Sequence, residues 1–159
     1  MNDSHFIADQ IRRAWQGDPW HGPSLQSVLE GVTAEQAGAY PISGAHSIWE
    51  LVLHLAGWTG EVEQRLGGAL AGAPPQGDWP VQGSGEAGWQ TALRSLAEAH
   101  ESLARAAEAF PPERWDEKVG DERNPPLGTG VSFRATLHGV AKHAAYHAGQ
   151  VILLKKALR

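Results

Sequence analysis

A chain of 159 residues, 42% hydrophobic and 19% charged, is long enough to bury a core without cross-links, so one domain over residues 1–159 is expected and wholesale disorder is excluded. Cysteine is absent, which removes disulfides, thiolate metal sites and cysteine nucleophiles together. The net charge of −5, with thirteen Lys and Arg scattered along the chain, argues against a nucleic-acid partner.

The opening run, MNDSHFIADQIRRAW, lacks the basic start and apolar stretch of a signal peptide, and no later segment is apolar enough to span a membrane. A cytoplasmic protein with no membrane partner is expected. Phe6, Ile7, Ile11, Ala14 and Trp15 recur at helical spacing and predict a helix from about Ser4 to Trp15. Gly17-Asp18-Pro19 interrupts it, and the segment after Pro23 reads as a restart to about Gly31, the two forming one bent first arm. Thr33-Ala-Glu-Gln36 has the form of a capping box and predicts a short extra turn. A second long helix is expected from Ser43 or Ser47 to Gly67-Gly68, with Ile48, Leu51, Val52, Leu55, Val62 and Leu66 as its buried stripe. Residues 71–85 are rich in Pro and Gly and read as a loop. From Glu86 to Phe110, Trp89, Leu93, Leu96, His100, Leu103, Ala107 and Phe110 step by four and three residues in alternation, the pattern of a bundle seam. Residues 111–131 form a second long loop, of the kind that walls pockets. A last helix from about Phe133 to Leu158 points Leu137, Val140, Ala144, Val151 and Leu154 inward. With no period-2 alternation anywhere, the fold class is all-α, a four-helix bundle.

Eight histidines and seven tryptophans are many for this length. His143 and His147 are one turn apart on the last helix, about 40° around its axis, so both side chains can reach one ion. They lie on the core-facing arc, where two unpaired imidazoles would have to be desolvated and hydrogen-bonded separately, while one metal satisfies both. A third ligand has to come from a facing helix. His54 is the first candidate and His100, on the third seam, its rival. His138 is turned about 140° from His143 on the same helix and is a poor ligand. Local hydrogen bonding or solvent accounts for His5, His21 and His46. The zincin motif fails because Ala follows His143, and no Glu-x-x-His of the di-iron bundles occurs. What remains is a mononuclear three-His site with open coordination positions, the catalytic arrangement of such ions. No general base is evident.

Two blocks resemble the DinB-like (damage-inducible) metalloenzyme superfamily. They are His46-Ser-Ile-Trp-Glu-Leu-Val-Leu-His54-Leu-Ala-Gly-Trp58 and Leu137-His-Gly-Val-Ala-Lys-His143-Ala-Ala-Tyr-His147-Ala-Gly-Gln-Val151, joined by Trp20-His-Gly-Pro-Ser-Leu25. The resemblance implies a bundle whose single divalent transition metal, nickel or zinc, is held by His54, His143 and His147. It further implies a metal-dependent enzyme using a low-molecular-weight thiol, as a thiol S-transferase or isomerase; an open three-His site that activates water instead would make it a hydrolase acting on a small molecule. The rival class is a non-catalytic metal-binding bundle with a structural or stress-protective role. A homodimer is compatible with either. By helical arithmetic Gln150 could bond a ligand ring, and Glu50 and Glu61 share a face with His54, a solvated face being the preferred reading for both. Gly139 and Gly149 read as close-packing positions. For Trp58, Trp79 and Trp115, core filling is preferred over walling a substrate pocket.

Overall fold

Ser and Thr start most helices of this chain, because their side-chain oxygens satisfy amide hydrogens that the first turn leaves free. In the computed structural model, which describes residues 3–159, Ser24 caps α2 (Leu25–Leu29) and Ser132 caps α6 (Phe133–Ala157). Thr33 with Gln36 and Ser47 with Glu50 close full capping boxes on α3 (Ala34–Gly38) and α4 (Ile48–Leu66). Helices α1 (Asp3–Trp15) and α5 (Gly85–Ala109) complete the set, and the described residues contain no strand. None of these helices is long and apolar enough to cross a membrane.

The four long helices pack as a square in the cyclic order α1, α5, α4, α6. The expected bent first arm is instead a long α1 followed by the five-residue α2, which docks on α6, while α3 lies on α4 and α5. Phe6, placed in the buried stripe of α1 by its spacing, is 48% exposed. The two large indoles at the ends of the bundle are fully buried with their N–H groups satisfied: Trp89 donates to the Val32 carbonyl at 2.7 Å and Trp115 to Ser4 Oγ at 3.0 Å.

The apolar core is in two parts. One gathers Trp15, the residues of α2, Ile48 to Leu55 of α4, Trp89 to Leu96 of α5 and Ala144 to Leu154 of α6. The other gathers Ile7 and Ile11, Val62 and Leu66, Leu103 to Phe110, and Phe133 to Val140. Along α5 and α6 the junction between the two parts falls at His100 and His143, with His54 and His147 at the edge of the first part.

Both long loops are tied to the helices. Residues 118–132 fold back through a backbone hydrogen bond from Val119 to Val131 and isolated bridges of Lys118 with Ser132 and Asn124 with Thr129. Gly130 makes this possible: its φ is 74°, and a Cβ there would sit 2.6 Å from the Arg123 Cα. The α4–α5 loop is held by Ser47 Oγ donating to Gln82 Oε1 at 2.7 Å and by Gln82 donating to the Gly38 carbonyl.

Candidate metal centre

His54 projects from the middle of α4, and His143 and His147 from successive turns of α6, two helices packed against each other. The three imidazoles meet edge to edge. His143 Nε2 is 3.0 Å from His54 Nε2 and 2.9 Å from His147 Nε2. His54 and His147 are 6% and 4% exposed, and His143 is half-buried. Among the described residues these three form the group of ligating side chains that could hold a metal ion, with candidate atoms all within 4.8 Å of one another.

The far sides of two rings decide what the near sides can do. His54 Nδ1 lies 2.7 Å from the Asp78 carbonyl and 3.2 Å from Asp78 Oδ1, and His147 Nδ1 lies 2.5 Å from Gln150 Oε1. Each partner oxygen only accepts, so each Nδ1 carries the proton and each Nε2 presents a lone pair. His143 Nε2 between them has one hydrogen at most, and cannot satisfy both. Lone pairs converging without donors fit a cation: nitrogens about 2.1 Å from one ion lie roughly 3.0 to 3.4 Å apart. Burial first, then the neighbouring His147 and His54, pushes the His143 pKa down to about 4, and burial also lowers that of His147. Both rings therefore favour the neutral form that a ligand must have.

Trp79 is stacked between two histidines. Its ring is parallel to His46 at 3.5 Å between centroids and to His54 at 4.0 Å. Glu50 anchors the outer side of this stack, accepting from His46 Nδ1, the Tyr40 hydroxyl and the Ser47 amide at 3.2, 2.9 and 2.9 Å. Burial pulls the Glu50 pKa upward, but these hydrogen bonds outweigh it and hold the carboxylate below its ordinary range. Trp58 Nε1 donates to Asp78 Oδ1 at 2.6 Å, so the Asp78–Trp79 step is fixed on both sides of His54.

A groove of about 580 Å³ between α4 and α6, roofed by residues 123–131, opens onto His54 and His143. A second hollow of about 510 Å³, bordered by His46, Trp79 and Tyr146, reaches His147 from the other side. The larger cleft of about 900 Å³ near α2 and the start of α5 lies away from the histidines and brings no ligating cluster together.

The remaining candidates fall elsewhere. His100 is 1% exposed, donates Nδ1 to the Leu96 carbonyl at 3.0 Å and stacks on Trp15, leaving Nε2 without a partner. His138 packs near Phe6, and His5 and His21 are exposed. Glu61 does not lie on a solvated face: it is 8% exposed, with Oε2 2.6 Å from Arg65 Nη2 and Oε1 accepting from Arg65 Nε and the Gly72 amide. Gly139 and Gly149 are not close-packing positions, since a Cβ at either would meet nothing within 4 Å.

The family model described as the DinB superfamily matches residues 20–151. The chain belongs to the DinB superfamily. No curated protein and no solved structure matches it. Within this DinB chain sequence reasoning missed Asp78, and the preferred core-filling reading holds for Trp115 but not for Trp58 and Trp79, which line the hollows beside the histidines, Trp79 stacked on His54. The available signal was composition: Asp78 is the one charged residue in the Pro- and Gly-rich run 71–85, and it is followed directly by Trp. Gln150 does bond a ring of the cluster, His147.

Proposed function

We propose that this protein is a metal-dependent enzyme whose His54, His143 and His147 hold one divalent transition metal, nickel or zinc, through their Nε2 atoms. The observation that carries the proposal is the convergence of three Nε2 atoms whose tautomers are set from behind by Asp78 and Gln150. An ion held by three neutral imidazoles keeps its full positive charge, and so favours a thiolate or hydroxide in its open positions. A fourth protein ligand, the mark of a closed structural site, is absent from the cluster among the described residues, and the groove beside His54 and His143 gives a small molecule access. Both observations favour an enzyme over a structural metal protein.

The chain's own residues have definable tasks in this reading. Asp78 and Gln150 fix ring orientation and raise ligand basicity, Trp79 shields His54 from water, and the groove walls orient the substrate. Since the chain has no cysteine, a reacting thiolate is supplied by a low-molecular-weight thiol. The reaction is thiol transfer to an electrophilic small molecule, with hydrolysis of a small substrate as the version in which water takes the thiol's place.

The test is the metal content of untagged protein. One equivalent per chain is expected, lost in His54→Ala, His143→Ala and His147→Ala and kept in His46→Ala and His138→Ala. Loss in His100→Ala with retention in His54→Ala would overturn the ligand set. With cobalt in the site, a sulfur-to-metal absorption band on adding thiol supports the transferase version, and thiol-independent turnover of a hydrolysable substrate supports the other. Full metal loading with neither outcome would leave a non-catalytic bundle as the better account.

A further inference from the structure

The groove that begins at the histidines ends at an arginine with an unused donor. His54, Trp58, Val62 and Arg65 follow one stripe of α4 along the groove floor. Arg65 has a side chain only 2% exposed, and its Nε and Nη2 are committed to Glu61 and to the Leu127 carbonyl. Nη1 has no hydrogen-bond partner among the described residues. It lies under Gly128, where an added Cβ would come within 3.8 Å of it, and Gly128 itself lines the groove. Nη1 is thus the one guanidinium nitrogen left open to the groove, and its two N–H groups can be met there by an acceptor.

We propose that Arg65 Nη1 is a subsite for a carboxylate at the end of the groove remote from the metal, so that the groove's ligand is elongated, anionic at one end and metal-binding at the other. The length follows from helix geometry. Arg65 folds back one turn to Glu61, seven residues beyond His54, so the two ends are on the order of 10 Å apart. The span between them is apolar, walled by Trp58, Val62, Pro126 and Val140. Charge agrees, since Arg65 and Arg123 line the groove against the single carboxylate of Asp78. Glu61 neutralises Arg65 from the opposite side without occupying Nη1, which lets the guanidinium stay buried when the groove is empty. This subsite deepens the proposed function and depends on it only for the metal end.

The probes are mercaptooctanoate, whose sulfur and carboxylate are about 10 Å apart when extended, and mercaptooctanol, which has the same chain without the charge. Both are titrated into cobalt-loaded protein and followed by the sulfur-to-metal band. The carboxylate is expected to tighten binding at least tenfold. That advantage should vanish in Arg65→Lys, whose ammonium still neutralises Glu61, and in the double variant Glu61→Gln/Arg65→Gln, which leaves no buried charge, provided each keeps the wild-type helical circular dichroism. Equal affinity of the two thiols for the wild type would overturn the subsite while leaving the metal–thiol reading intact. If neither thiol produces a band, the thiol reading fails instead, and octanoate against octanol on metal-free protein, measured by calorimetry, judges the subsite alone. An Arg65-dependent preference for octanoate supports it, and no preference overturns it.

Discussion

His100→Leu should stabilise the protein, and by more in acid than at neutral pH. The imidazole is 1% exposed and its Nε2 has no partner, an omission that costs about 1 to 3 kcal/mol for a buried polar group. Leucine is similar in volume, removes that penalty and adds a fully buried apolar side chain worth about 1.5 to 3 kcal/mol, against the Nδ1 hydrogen bond to Leu96 and the stack on Trp15, together worth about 1 to 3 kcal/mol. The mid-range balance near pH 7.5 is therefore a net gain of about 2 kcal/mol. Burial lowers the pKa of His100 in the folded chain. Between that lowered value and the unfolded value of about 6.5 the unfolded chain binds the extra proton, so wild type loses stability as pH falls through this window and the variant does not. From pH 7.5 to 5.5 the variant's advantage should grow by up to about 1.4 kcal/mol. Urea unfolding of chelator-treated wild type and variant at the two pH values measures this directly, and titration of the other histidines cancels in the difference. A destabilised variant whose deficit is independent of pH would refute the reasoning. Metal content of the variant should stay at wild-type level, and its loss would return His100 to the ligand set.

Acidification should release the metal below pH 6.5 rather than above it, because burial holds His143 at about 4 and lowers His147, so both stay neutral and available past the ordinary histidine range. Dialysis at stepped pH checks this, and release already complete at pH 7 would contradict it. Asp78→Ala should weaken metal binding about tenfold, the lower end of the range for a residue supporting a ligating histidine, because the backbone carbonyl on His54 Nδ1 remains. Competition with a chromophoric chelator reads that affinity. Ser47→Ala should cost about 1 to 2 kcal/mol in thermal or urea unfolding, since Ser47 both closes the capping box of α4 and donates to Gln82, while metal stoichiometry should not change.

Periodicity was enough to read the four long helices, because their buried stripes are continuous and their ends carry Ser caps, Gly stops or the Pro111-Pro112 pair. It was not enough for residues 17–33, where a Pro near a helix start gave only the five-residue α2, and tertiary docking on α6 rather than local propensity sets its extent. The His143–His147 pair was legible from helical spacing, and His54 from its place among apolar neighbours. Asp78 and the stacking of Trp79 on His54 were not, since no periodicity links a loop residue to a helix it crosses. Glu61 was misread for a related reason: helical arithmetic gives the face of a residue but not what covers it, and Arg65 with the Gly72 amide covers this one.

The division of the apolar core has a consequence for cooperativity. A single continuous core melts as one unit, but here the two hydrophobic halves meet at a junction of imidazoles, His100 and His143, that contributes little apolar cohesion. An ion bridging α4 and α6 would tie His143, at the junction of the halves, to His54 and His147 at the edge of the first, and so stiffen the junction. Without it, each half can open while the other persists, and the junction becomes the line along which water enters. Amide hydrogen exchange of the metal-free protein should then resolve two protection levels: one for the residues around Trp89 and Val151, another for those around Trp115 and Leu103. Metal should merge the two, making a bound ion a setter of cooperativity.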